Sequence, residues 1–143
     1  MPYEFLEEVA IADIAFRAWG GTLDEVFMAA ADATMRVMID NLESIQSSEH
    51  RPIRLENRAL DLLLFDLLQE LIYFKDAEQL LLRVRHARVT PADGRWTLTA
   101  EGYGERLNPA WHQQRIDVKA VTLHNFKLEK TASGWSATVI LDV

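Results

Sequence analysis

The chain has 143 residues, 49% of them hydrophobic, and carries 15 basic against 22 acidic side chains, a formal net charge of -7. This length fits one globular domain over residues 1–143, and the negative charge disfavours direct binding to RNA or DNA. The absence of cysteine excludes disulfides, thiolate metal sites and thiol nucleophiles. No stretch reaches the roughly 18 apolar residues of a membrane span, so we expect a soluble, cytoplasmic protein without a membrane partner.

The first forty residues predict two short strands and a helix. Segments 3–7 and 12–20 alternate as strands do, and the pair Gly20-Gly21 ends the second. Thr22 followed by Glu25 is a capping-box pattern, and apolar residues at helical spacing continue to about Asp40.

A polar loop, a strand and a second helix follow. Residues 41–52 read as the loop, 52–57 as the strand, and Arg58 to Lys75 as the helix, with Asn57 as its cap. This helix contains so many leucines that most of its circumference must be covered, which predicts a core helix.

The second half predicts antiparallel strands joined by turns. Segments 79–90 and 95–104 form a hairpin in which Asp93-Gly94 supplies the positive-φ turn positions. A strand region over 116–130 turns at Ser133-Gly134 into the last strand, 135–143. The pattern predicts an α+β fold with two helices packed on one side of a mostly antiparallel sheet.

Most motifs that carry chemistry are absent from the sequence. It has no phosphate-binding glycine loop, zinc-protease motif, nucleophile elbow or EF-hand loop, and its four histidines lack the spacing of a helical metal pair. The remaining candidates are Asp13, Asp142, Lys119 and His124. Pattern alone favours ordinary roles, such as a solvated or turn-capping Asp13 and an edge-protecting Lys119.

Five segments resemble the archease family and occur in order along nearly the whole chain. They are FLE (5–7), ADIAFRAWGGTLDEVF (12–27), LLLFDLLQELIYFKDAEQLLL (62–82), GERLNPAWHQQRIDVKAVTLH (104–124) and ILDV (140–143). The resemblance implies a bent antiparallel sheet with two helices. It also implies a non-catalytic protein that activates an RtcB-type RNA ligase of tRNA splicing and RNA repair by promoting guanylylation and turnover of the ligase.

The same resemblance implies a divalent cation, calcium or alternatively magnesium. Its ligands would be Asp13, Asp142 and the terminal carboxylate of Val143. Hard cations prefer oxygen ligands, and adjacent carboxylates without a cation repel one another. The resemblance further implies that Lys119 and Asp13 serve partner activation, with Lys119 approaching a nucleotide or an acidic group of the partner.

One segment departs from the family pattern, which leaves its ligands open. The family has His-Thr before Ala-Asp, whereas this chain has Ala10-Ile11 and two additional residues in that region, so no histidine role is transferred. Glu7 and Glu8 are alternative oxygen donors. Two other functions also remain: a chaperone-like modulator of a tRNA methyltransferase, and a small metal-dependent hydrolase.

Overall fold

The computed structural model describes residues 2–6 and 13–143. The strands are β1 (Tyr3–Phe5), β2 (Asp13–Gly20), β3 (Glu49–Asn57), β4 (Leu80–Ala92), β5 (Arg95–Arg106), β6 (Ala120–Thr131) and β7 (Gly134–Asp142). The helices are α1 (Leu23–Met38) and α2 (Leu60–Glu78), and a short 3-10 turn spans Leu42–Ser44. In this part of the chain no helix is long and apolar enough to cross a membrane.

The strands form two open antiparallel sheets, in agreement with the predicted α+β class. One sheet has the order β1-β2-β7-β6, and the other has the order β3-β5-β4. Strand β7 therefore lies between β2 and β6, so the last strand of the chain pairs with its second strand in the middle of one sheet.

The hydrophobic core lies where the two helices contact both sheets. Helix α1 contacts β1, β2 and β7 of the four-stranded sheet and β4 of the other, while α2 contacts β6 and all three strands of the smaller sheet. The six buried residues of α2 are Leu63, Leu64, Leu67, Leu68, Leu71 and Ile72. Their burial confirms α2 as a core helix. Burying one such side chain stabilises a fold by about 1.5–3 kcal/mol.

The start of α1 follows the predicted capping pattern. The Glu25 amide donates to Thr22 Oγ1 at 3.2 Å, and Glu25 Oε2 accepts from the Gly21 amide at 3.0 Å. Gly20 is required here because a Cβ at this position would lie 2.6 Å from the Glu25 Cβ. The helix ends at Met38, two residues before the predicted boundary.

The start of α2 corrects the prediction that Asn57 is its N-cap. The N-cap is Ala59, which has no side-chain capping bond. Asn57 ends β3 instead: its Oδ1 accepts from the Ala59 amide and its Nδ2 donates to Asp66, each at 3.0 Å. Its side chain therefore bridges the strand–helix connection. The helix continues to Glu78, three residues beyond the predicted end.

The last two hairpins fix the geometry around the chain's second half. Asp93 and Gly94 have φ of 48° and 76°, which confirms the predicted turn between β4 and β5. Strand β6 begins at Ala120, so residues 116–119 precede it rather than belonging to it. The β6–β7 register shifts between Thr122 and Lys127, which marks an irregularity in the edge strand.

Candidate metal and partner site

Asp13 and Asp142 lie directly opposite each other in the antiparallel ladder of β2 and β7. Opposed residues point to the same face of a sheet, so the two carboxylates are neighbours although 129 positions separate them in the sequence. Ala120 of β6 lies opposite Asp142 on its other side. This row of the sheet thus holds two acids beside a small side chain.

The two acids have no cationic partner among residues 2–6 and 13–143, where neither carboxylate takes part in an ion pair or a side-chain hydrogen bond. Like charges directly opposed across strands are destabilising. Two partly exposed carboxylates on one sheet face are donors that Ca²⁺ and Mg²⁺ accept. The donor chemistry therefore fits a hard divalent cation.

Val143 follows Asp142 directly and packs, partly buried, against the hydrophobic core. The described residues contain no cluster of three or more His, Asp or Glu side chains that could hold a metal ion. The predicted ligand set is different in kind, since it combines two side-chain carboxylates with a backbone carboxylate. The alternative donors Glu7 and Glu8, and the Ala10-Ile11 departure, lie outside the described residues.

Lys119 lies beside this acidic row. The backbone amide of Lys119 donates to the carbonyl oxygen of Asp142 at 2.8 Å, and Lys119 is exposed to solvent. The structure therefore places Asp13, Asp142 and Lys119 at one end of a single sheet. His124, the remaining candidate, is also exposed and lies in the irregular part of β6, with Nε2 3.3 Å from Asn125 Nδ2.

Two side chains of α2 hold the backbone on either side of Lys119. Lys75 Nζ donates to the carbonyl oxygen of Val118 at 2.7 Å and to Asp117 Oδ1 at 2.6 Å. Gln69 Oε1 accepts from the amide of Val121 at 2.9 Å. Together with the bond to β7, these contacts fix the path of residues 117–121.

The sequence pattern predicts no role for Gln69 or Lys75. Each is a polar residue within a helix that is otherwise rich in buried leucines. A polar group in such a helix requires a hydrogen-bond partner when it is buried. This requirement was the only signal in the sequence, and it gave no indication of which segment the partner would come from.

A second buried polar group lies at Glu105, which pattern reasoning also missed. Its Oε1 accepts from Trp111 Nε1 at 3.0 Å, the Gln46 amide at 3.0 Å and His112 Nε2 at 2.6 Å. His112 Nδ1 accepts from the Asn108 amide at 2.8 Å, so its Nε2 carries the proton in this arrangement. Every ring nitrogen is thus used, as expected of a structural element.

These hydrogen bonds determine the ionisation of Glu105. Burial raises the pKa of this carboxyl, but the hydrogen bonds from Trp111, Gln46 and His112 outweigh burial and hold its pKa below the ordinary value. The ionised carboxylate is therefore the form that anchors the loop before β6 to the loop after α1.

Comparison with known proteins decides the family. The model of the Archease protein family (MTH1598/TM1083) matches residues 3–143. The chain belongs to the archease family. The archease of Pyrococcus abyssi is 35% identical over 133 residues, covering 92% of this chain and 93% of that protein. The archease of Methanosarcina mazei is 36% identical over 142 residues, covering 99% and 95%.

Solved structures support the archease fold. The solution structure of Methanobacterium thermoautotrophicum protein 1598 has a TM-score of 0.85 at 31% identity and covers 99% of each chain. The crystal structure of a Thermotoga maritima archease, described as a possible chaperone, has a TM-score of 0.65 at 16% identity and covers 98% of each chain. The second likeness shows the fold alone.

Proposed function

We propose that this archease is a non-catalytic activator of an RtcB-type RNA ligase and promotes the guanylylation and turnover of that enzyme. The observation that carries the proposal is the position of Lys119. It is exposed, it lies beside the opposed pair Asp13 and Asp142, and hydrogen bonds on both sides fix its backbone. An exposed lysine on a fixed backbone is suited to an anionic group of a partner.

A divalent cation, calcium or magnesium, completes the site in this proposal. Asp13 and Asp142 would hold it together with the terminal carboxylate of Val143. When bound, the cation neutralises the acidic row. The residues of the chain then have a structural part: the β2–β7 ladder positions the two carboxylates, and the bond from the Lys119 amide to Asp142 links Lys119 to that ladder.

Lys119 acts on the partner rather than on a substrate of this chain. Its ammonium group would approach the phosphate that is transferred to the ligase, or an acidic group beside it, and stabilise negative charge there. An activator needs only a higher affinity for the state of the ligase that is competent for guanylylation. No catalytic residue is assigned to this chain.

The test is guanylylation and multiple-turnover ligation by the purified cognate ligase, with and without this protein. We expect the wild type to accelerate both, and Lys119→Ala and Asp13→Ala to lose the acceleration while remaining folded. Lys130→Ala is the matched control, because Lys130 is exposed near the far end of β6, the strand that begins directly after Lys119. Equal acceleration by Lys119→Ala and the wild type would contradict the assigned role.

Calcium titration by calorimetry tests the ligand set separately from activity. Adding residues after Val143 should weaken calcium binding if a terminal carboxylate at this position is a ligand. Unchanged affinity in the extended protein would reject Val143 while leaving Asp13 and Asp142 as candidates.

A second candidate function is a chaperone-like modulator of a tRNA methyltransferase. The resemblance of the sequence to the archease family implies this class, and one member of the family, from Thermotoga maritima, is described as a possible chaperone. It predicts that the protein changes the product pattern or the solubility of the methyltransferase and leaves the ligase unaffected. Both assays run on the same purified protein distinguish the two candidates.

A further inference from the structure

The surface beside Lys119 carries exposed apolar side chains of α2 and β6. Among the described residues, eight large hydrophobic side chains are exposed, and the two most exposed are Leu123 of β6 at 60% and Tyr73 of α2 at 59%. Leu62 of α2 is 36% exposed. We call this surface, defined by Leu62, Tyr73, Lys119 and Leu123, the α2–β6 seam.

The contacts between α2 and β6 show that the seam is continuous. Lys75 binds Val118, Gln69 binds Val121, and the ring of Phe65 packs edge-on against Phe126 with centroids 5.7 Å apart. Residues 118–126 therefore run alongside α2 and antiparallel to it. Lys119 and Leu123 lie within this run.

Helix geometry places the apolar residues of α2 along the same line. Leu62, Gln69 and Tyr73 are seven and four residues apart, so they share one side of the helix. Gln69 contacts β6. Leu62 therefore lies before Gln69, and Tyr73 after it, along the side of the helix that borders β6.

The charges along the seam indicate the kind of partner. Lys75 and Asp117 pair with each other, and Asp66 accepts from Asn57, whereas Lys119 has no ion pair among residues 2–6 and 13–143. Lys127 and Lys130 of β6 are exposed and also lack an ion pair in that part of the chain, but the net charge of -7 makes the protein a poor surface for a nucleic acid. An apolar surface beside unpaired lysines fits a protein whose own apolar patch lies beside anionic groups.

We propose that the α2–β6 seam is the docking surface for the partner protein, which places apolar side chains against Tyr73 and Leu123 and an anionic group against Lys119. This inference rests on the proposed function and names the part of the surface that the ligase contacts. The anionic group is either a carboxylate of the partner or the phosphate of its bound nucleotide.

Direct binding of the purified cognate ligase, measured by calorimetry, tests the proposal. Tyr73→Ser and Leu123→Ser should each raise Kd at least tenfold, with unchanged thermal unfolding and unchanged calcium affinity. The matched control is Trp19→Ser, an aromatic residue 37% exposed on β2. It lies six residues from Asp13, or about 20 Å along the strand, and should change Kd less than twofold.

Lys119→Ala measured with and without GTP identifies the anionic group. A loss of affinity only with GTP indicates the nucleotide phosphate, and an equal loss in both conditions indicates a carboxylate of the ligase; either loss supports the contact. No loss in either condition overturns the part of the inference that concerns Lys119.

The remaining outcomes separate the inference from the proposed function. If the wild type binds and activates the ligase while Tyr73→Ser and Leu123→Ser bind equally well, the seam is refuted and the activator function stands. If the wild type neither binds nor activates the ligase, the proposed function is refuted and the inference with it. If sedimentation shows self-association that Leu123→Ser abolishes, the occupant is a second copy of the chain and the inference is overturned.

Discussion

Replacing Asp142 with asparagine should have opposite effects on stability without and with calcium. In the wild type, Asp13 and Asp142 are directly opposed across β2 and β7 with no cationic partner among the described residues. Unit charges about 5 Å apart repel by about 0.8 kcal/mol in water, and cross-strand pairs contribute about 0.2–1 kcal/mol. Asp142→Asn removes this repulsion and should stabilise the calcium-free protein by about 0.5 kcal/mol.

Calcium should reverse the order of stability. A ligand at 100 times its Kd stabilises the folded wild type by about 2.7 kcal/mol. Loss of one carboxylate ligand that weakens binding tenfold removes about 1.4 kcal/mol of that gain. In calcium, Asp142→Asn should therefore be the less stable protein by about 1 kcal/mol.

Urea denaturation in chelator and in excess calcium measures both effects, with thermal unfolding as a second probe. Without calcium, the unfolding midpoint of Asp142→Asn should rise by about 1–2 °C. Glu129→Gln is the control, since Glu129 is an exposed acid on β6 that lies opposite Ser136 and not opposite another acid. An Asp142→Asn protein that is less stable in chelator, with the same calcium response as the wild type, would refute the reasoning.

Three further predictions concern hydrogen bonds and packing elsewhere in the fold and beside the site. The pKa of Glu105 is depressed in the folded state, so its ionised carboxylate stabilises the fold above the ordinary carboxyl pKa, and this stabilisation is lost as pH falls through the folded value. In urea denaturation between pH 7 and pH 3, the free energy of unfolding should therefore fall less for Glu105→Gln than for the wild type. Gln69→Leu removes the acceptor for the Val121 amide and should speed hydrogen exchange at that amide by about tenfold; unchanged exchange would mean that this bond does not fix the segment. Gly104→Ala places a Cβ 1.6 Å from the Leu81 carbonyl oxygen and should lower the free energy of unfolding in urea by about 3 kcal/mol. A loss below about 1 kcal/mol would show that β4 and β5 move apart easily to admit the methyl group.

The sequence by itself determined the local elements because their causes are local. The spacing of Thr22 and Glu25 predicted the start of α1, and Asp93-Gly94 predicted the turn between β4 and β5. Both signals act over a few residues, so the remainder of the chain does not alter them. The leucine content of α2 likewise required that the helix be covered on most sides.

The prediction of Asn57 as a helix cap was wrong because two roles compete for the same side chain. An asparagine before a helix can cap it or bridge the preceding turn. The choice was decided by the end of β3 at Asn57 and by the position of Asp66, to which its amide group donates. Neither fact is visible in the local pattern.

Only the tertiary structure decided how the candidate site is assembled. The sequence and its family resemblance named Asp13, Asp142 and Lys119, but their proximity depends on the strand order β2-β7-β6. Likewise, Gln69 and Lys75 lie more than forty residues before the segment that they hold. A sequence pattern reports which residue types are present, whereas contacts between distant segments follow from the pairing of whole strands and helices, which is set by burial of their apolar faces.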